Sequence, residues 1–232
     1  MNCPACASQM ANLVLEGKMN TTLDIDMCAG CRVIWFDRFE DLRLAPASTL
    51  KLFGVIGESS ETAAAPLPRV LRCPRCLAQL LVTHDLQGST RFQYWRCDAS
   101  HGRLITFIDF LREKEFVRTL TSQQLDELRQ NVQTINCSNC GAAVDLARDS
   151  VCAHCGSAVS MLDLKQMART IGQLQSAALG GQRADPGLPE TSHDDLKGLM
   201  LALKASAQAD APRGLIETGL SLMGELLKRR LK

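Results

Sequence analysis

Ten of the eleven cysteines in this 232-residue chain fall into five Cys-x-x-Cys pairs: Cys3/Cys6, Cys28/Cys31, Cys73/Cys76, Cys137/Cys140 and Cys152/Cys155. The eleventh, Cys97, has His101 four positions on. Thiolates and imidazoles are zinc ligands, and two residues between thiolates let one tight turn aim both sulfurs at a metal about 2.3 Å away. Eleven cysteines and one histidine make twelve ligands, which close three tetrahedral sites without remainder. The expected sets are Cys3, Cys6, Cys28, Cys31; Cys73, Cys76, Cys97, His101; and Cys137, Cys140, Cys152, Cys155, with three zinc ions as cofactor.

His101 has two other readings. It is a surface loop histidine in one; in the other, water takes its place beside Cys73, Cys76 and Cys97 to make a catalytic-type site. No acid or base is placed to serve such a site, and the register of an internal repeat favours the ligand. His84 and His193 read as solvated, and His154, between two ligands, as a residue that supports the ligands or is exposed rather than as a fifth ligand.

The elements that must carry these ligands follow from the spacers. Residues 1–45 read as a first ribbon: a knuckle at Cys3-Pro4-Ala5-Cys6, a hairpin through Asn12 to Asp26, and a second knuckle at Cys28-Ala29-Gly30-Cys31. Residues 46–68 are a helix and linker, with an apolar piece from Ser48 to Ile56 and linker composition from Glu58 to Pro68. Residues 69–118 repeat the plan as a second ribbon, with strands at Leu80–Thr83 and Arg91–Arg96; the Cys76-to-Cys97 spacer nearly matches that from Cys6 to Cys28. Arg103 to Phe110 reads as a strand and Leu111 to Arg118 as a helix. Thr121-Ser122-Gln123-Gln124 predicts a capping box opening a connecting helix within 119–136. Residues 137–160 form a compact third ribbon, with Gly141 and Gly156 after the second cysteine of each knuckle to take a left-handed turn.

From residue 161 the pattern is helical: a helix over 161–180, a linker over 181–194, and amphipathic helices over 195–232 in which Leu215, Ile216, Leu220, Met223 and Leu227 share a face. The basic end at Lys228 to Lys232 makes residues 212–232 a candidate for contact with a membrane surface or for docking on a partner; packing or self-association is the plainer expectation. The fold class expected is a small metal-stabilised α+β protein of three tandem zinc ribbons with a helical C-terminal region. Aromatics are only 4% of the chain. The core is expected to be divided among small modules that depend on metal, and the first module to move relative to the rest.

Cys3-Pro4-Ala5-Cys6, followed after a hairpin by Cys28-Ala29-Gly30-Cys31-Arg32-Val33-Ile34-Trp35-Phe36-Asp37-Arg38-Phe39-Glu40, resembles the bacterial zinc-ribbon family named after the zinc finger of transcription factor IIB. That family reads Cys-Pro-x-Cys and then Cys-x-x-Cys with a following Trp, Asp and Glu. Arg32 and Val33 stand where its members commonly have glycine. The likeness covers residues 1–45 and implies zinc binding. The Cys-x-x-Cys-Gly knuckles of the third module resemble the short zinc ribbons attached to many bacterial proteins.

Met1-Asn2-Cys3-Pro4 enters a knuckle at once, without a secretory leader, and no run of about 18 apolar residues could span a bilayer; a cytoplasmic protein with thiolate ligands rather than disulfides is expected. Net charge is +1 but unevenly spread: residues 1–45 carry four basic and six acidic side chains, residues 69–118 nine basic and five acidic. Any anion-binding face is therefore expected on the second module or the tail. Arg69, Arg72, Arg75, Arg91, Arg96 and Arg103, with Phe92, Tyr94 and Trp95, are the candidate nucleic-acid contacts. In the alternative the aromatics cover the metal site and the arginines are solvated.

With every cysteine committed to metal and no Ser/His/Asp set or phosphate loop evident, the leading expectation is a non-enzymatic zinc-ribbon adaptor. It would bind protein partners and self-associate through its C-terminal helices. A nucleic-acid-binding, transcription-related ribbon protein and a zinc-thiolate redox-responsive chaperone are the alternatives.

Overall fold

The computed structural model describes residues 1–59, 65–88 and 90–163, with single positions at 166, 169, 172, 173, 176 and 216. The expected 181–194 linker, His193, most of the 161–180 helix and all of the 195–232 helices except Ile216 lie outside the described residues.

The first ribbon is β1 (Ala11–Glu16), β2 (Thr22–Cys28) and β3 (Val33–Asp37), followed by α1 (Glu40–Arg43) and α2 (Pro46–Glu58). The second is β4 (Leu81–Gln87), β5 (Thr90–Arg96) and β6 (Gly102–Thr106), then α3 (Phe107–Glu113) and β7 (Val117–Thr119). Next come α4 (Ser122–Asn131), β8 (Thr134–Asn136), β9 (Ala143–Asp145) and β10 (Ser160–Leu162).

The first two ribbons do not stand apart. Their strands form one antiparallel six-stranded sheet in the order β1-β2-β3-β6-β5-β4, so β3 and β6 are central. Trp35 faces Leu104 at the seam; each is seven residues beyond the third ligand of its own set, Cys28 or Cys97. Equivalent residues of the repeat thus oppose one another, as in a two-fold dimer built within one chain. The expected mobility of the first module is corrected by this seam, which takes up the edges two separate ribbons would leave open.

Alternation in β3 explains the burial on both faces. Ile34 and Phe36 enter one apolar cluster; Val33 and Trp35 enter another. The first cluster joins both ribbons to the helices: Leu23 and Ile25 from β2, Phe92 and Ile105 from the second ribbon, and Leu52, Phe53 and Ile56 from α2. Phe53 sits 4.3 Å from Phe116 and 5.9 Å from Phe110, ring centre to ring centre. A divided core was expected; here one core serves two ribbons, because few aromatics suffice when they are pooled. Ile216 is fully buried in the same cluster.

The segment after the second site is also corrected. The strand ends at Thr106, whose side chain accepts a hydrogen bond from the Asp109 backbone N–H and starts α3; the chain then returns as β7 instead of continuing as helix. The Thr121/Gln124 capping box forms as expected. Its helix does more than separate modules: Leu125 is buried with Ile135, Val144, Leu146 and Val159 in the core of the third ribbon, and Arg129 Nε donates to the Leu146 carbonyl at 2.7 Å.

Candidate metal centres

Four of the knuckles fold identically. In each, the first cysteine's N–H donates to a carbonyl five residues on, and its own carbonyl accepts from the N–H four residues on: Cys3 with Ser8 and Ala7, Cys73 with Ala78 and Leu77, Cys137 with Ala142 and Gly141, Cys152 with Ser157 and Gly156. The fourth-on residue needs positive φ, found at Ala7 (61°), Leu77 (61°), Gly141 (76°) and Gly156 (72°). Glycine meets that need in the third ribbon; the first two impose it on residues with a Cβ. Cys28/Cys31 and Cys97/His101 close by another turn, with positive φ at Arg32 (52°) and Ser100 (59°).

Strand pairing then converges the knuckles. All twelve expected ligands assemble into the three expected sets, every ligand atom within 4.8 Å of the others in its set. No two of the cysteines are joined by a disulfide. Sulfur separations are 3.8 Å for Cys6 and Cys28, 3.6 Å for Cys76 and Cys97, 3.7 Å for Cys137 and Cys155, and 3.6 Å for Cys140 and Cys152. Four sulfurs about 2.3 Å from a central ion stand about 3.8 Å apart in a tetrahedron, so the donor sets fit such an ion. His101 presents Nδ1, 3.5 Å from the Cys97 sulfur and 3.8 Å from that of Cys73, which places the histidine in the set and leaves no surface role for that nitrogen. His84 and His154 are exposed.

Electrostatics point the same way. Burial pushes the Cys3 and Cys73 thiols up to about 11, while hydrogen bonds from Ser8 bring Cys6 down to about 6. Without a cation these sulfurs cannot all ionise together; a dication removes that conflict. The first two centres share one apolar cluster, in which Cys3, Cys28 and Cys31 meet Cys73 and Cys97 through Val33, Trp35 and Leu104. They lie on one face of the sheet, opposite the helices.

The basic residues of the second ribbon are largely spent within the protein. Arg75 donates through both arms to Asp37 of the first ribbon, by Nε to Oδ1 at 2.8 Å, and Asp37 also accepts from the Trp35 indole at 2.8 Å. Burial opposes ionisation of Asp37, but the bonds from Arg75 and Trp35 outweigh it and hold the carboxyl below its usual range. Arg103 lies 2.8 Å from both Asp41 and Glu113 and covers the Tyr94 and Phe36 rings. Phe92 is buried, Trp95 packs on the cluster around the two centres, and exposed Arg96 pairs with Asp98. Arg72 donates to the Leu77 carbonyl, while Arg69 and Arg91 are exposed. The anion expected for the basic module is, for Arg75 and Arg103, the acidic ribbon beside it.

A buried polar cluster not expected from the sequence fastens the third ribbon. Asp109 of α3 accepts from Arg112 at 3.0 Å; Arg112 also reaches Ser160 Oγ at 2.9 Å and the Ala158 carbonyl at 3.3 Å. Thr106 Oγ1 donates to Asn139 Oδ1 at 2.5 Å, and Asn139 Nδ2 donates to Ser157 Oγ at 2.8 Å. Asn139 is 2% exposed and lies between two ligands, its amide 3.9 Å from the Cys155 sulfur. The Thr-x-x-Asp spacing at 106–109 and the i, i+3 pair Asp109/Arg112 were the available signals.

No protein-family model matches this chain, and no curated protein and no solved structure matches it. The likeness of residues 1–45 to the transcription factor IIB type rests on its motif alone.

Proposed function

We propose that this is a non-enzymatic zinc protein whose ribbons form a rigid adaptor for other proteins, working in the cytoplasm. The observation that carries the reading is the commitment of all eleven cysteines, with His101, to three four-ligand clusters. Thiolate-rich tetrahedral sets with no open position suit zinc in a structural role, where the ion supplies folding free energy and no coordination site remains for a substrate. A family tie of the first ribbon to the transcription factor IIB type belongs to the same proposal. The C-terminal helices would add self-association or docking.

Two measurements test it. Native mass spectrometry should find three zinc ions per chain; fewer tightly held ions, or iron in their place, would refute the cofactor assignment. Pull-downs with full-length protein and with a chain lacking residues 195–232 test the docking role, which fails if truncation loses no partner.

A further inference from the structure

Beside β5 lies a cleft of about 580 Å³, walled by β5, α3, β7 and the last knuckle of the third ribbon. The size is that of a ligand or short-peptide site. Its cations are Arg91 and Arg118 on the walls and Arg112 beneath; the carboxylate lining it is Asp109, fully buried, its Oδ1 taken by Arg112 and by the Gln93 N–H at 3.4 Å. Arg118 leans on Gln124 at 2.9 Å and lies 3.9 Å from Asp163. Arg91 is exposed.

The backbone matters as much as the charge. β5 pairs with β4 along its length but with β6 only at Trp95 and Arg96, because the chain of β6 leaves the sheet as α3. Gln93 turns its N–H away from β4, toward Asp109. Hydrogen-bonding direction alternates along an antiparallel strand, so the Arg91 N–H and C=O point the same way, and neither has a partner among the described residues. An open strand edge bearing a cation therefore borders a concave, positively charged cleft.

We propose that this cleft receives an extended acidic segment of a partner protein, added as a short strand to the open edge of β5 at Arg91, with its carboxylates on Arg91 and Arg118. Strand addition draws affinity from main-chain hydrogen bonds and specificity from alternate side chains, and both features are present. A nucleic acid would use the guanidinium groups but not the amide edge, and it finds no base-stacking platform, since Phe92 is buried and Tyr94 lies beneath Arg103. The inference rests on the adaptor reading and names its docking site.

The probe is a fluorescein-labelled peptide of alternating Asp and Val, titrated by anisotropy into full-length, zinc-loaded protein, with amide shifts followed by NMR. Binding should shift the amides of Arg91 and Gln93, weaken at least about tenfold with Arg91→Glu, and weaken similarly when alternate peptide nitrogens are methylated. Arg96→Glu, on the same strand but outside the cleft, should bind as the wild type does. Equal binding by Arg91→Glu, indifference to N-methylation, or tighter binding of a short single-stranded oligonucleotide would overturn the proposal. If wild type and Arg91→Glu capture the same partners in pull-downs, the adaptor reading survives and this docking site does not.

Discussion

Gly102 leaves no room for a side chain where the two ribbons pair, and replacing it with alanine tests whether the seam holds the fold. Gly102 pairs with Asp37 at the end of β3 and has a φ of 155°. A Cβ there would lie 2.2 Å from the Phe36 carbonyl oxygen, 2.9 Å from Cζ2 of Trp35 and 3.0 Å from the Asp37 Cα. The first clash is with backbone and the second with a side chain 1% exposed, so neither can swing aside. Relief requires the strands to part by about 1 Å, and overpacking of this kind costs roughly 2 to 4 kcal/mol. With a urea slope near 2 kcal/mol per molar, the midpoint should fall by about 1 to 2 M in Gly102→Ala. Unfolding followed by tryptophan fluorescence measures it, since Trp35 is buried at the seam. Gly30→Ala, where a Cβ meets nothing within 4 Å, is the control and should stay within about 0.5 kcal/mol of wild type. A Gly102→Ala midpoint matching that of the control would refute the pairing of β3 with β6.

Further outcomes follow from the same geometry. Chelation should unfold the third ribbon first, because its small cluster around Ile135 and Val144 lacks the pooled aromatics of the sheet; circular dichroism during stepwise chelator addition should show two losses, and a single one would count against it. Leu77→Gly should stabilise the second ribbon by up to about 1 kcal/mol, since Leu77 is 69% exposed and held at positive φ; thermal unfolding checks this. Arg112→Met should cost about 3 to 5 kcal/mol at neutral pH by leaving Asp109 buried without its cation. Burial already raises the Asp109 carboxyl above its unfolded value, against the pull of Arg112 and Thr106. A raised folded value means stability complete below the unfolded value and lost as pH rises, so the gap between wild type and Arg112→Met should narrow as pH falls from 8 to 5. Urea midpoints of both proteins at the two pH values decide it, and a constant gap would contradict the assignment.

The local plan of the sites was legible because it depends on short-range geometry. Two-residue gaps make knuckles, an added residue accommodates His101, and the matched spacers of Cys6–Cys28 and Cys76–Cys97 announce the repeat. All twelve ligands and their grouping follow from that arithmetic, and the structure assembles the same three sets. The Thr121 capping box was readable for the same reason, since its donor and acceptor lie within one turn. Thr106 carried a similar signal, but the apolar run through Phe110 reads as strand and as buried helix alike.

What joins the modules could not be read from spacing, because partners distant in the chain meet only after each ribbon has formed. The fully apolar Val33-Ile34-Trp35-Phe36 looks like cover for one metal site; tertiary structure makes it a central strand buried on both faces against the second ribbon. Charge counts marked the second ribbon as basic, yet only the fold places Asp37 and Asp41 against Arg75 and Arg103 and directs that charge inward. Cysteine spacing determined where the ions would sit, since ligands two to four residues apart share a single turn. Packing decided that the first two ribbons make one body, because pooling one core and pairing two open edges buries more than two small modules could bury alone.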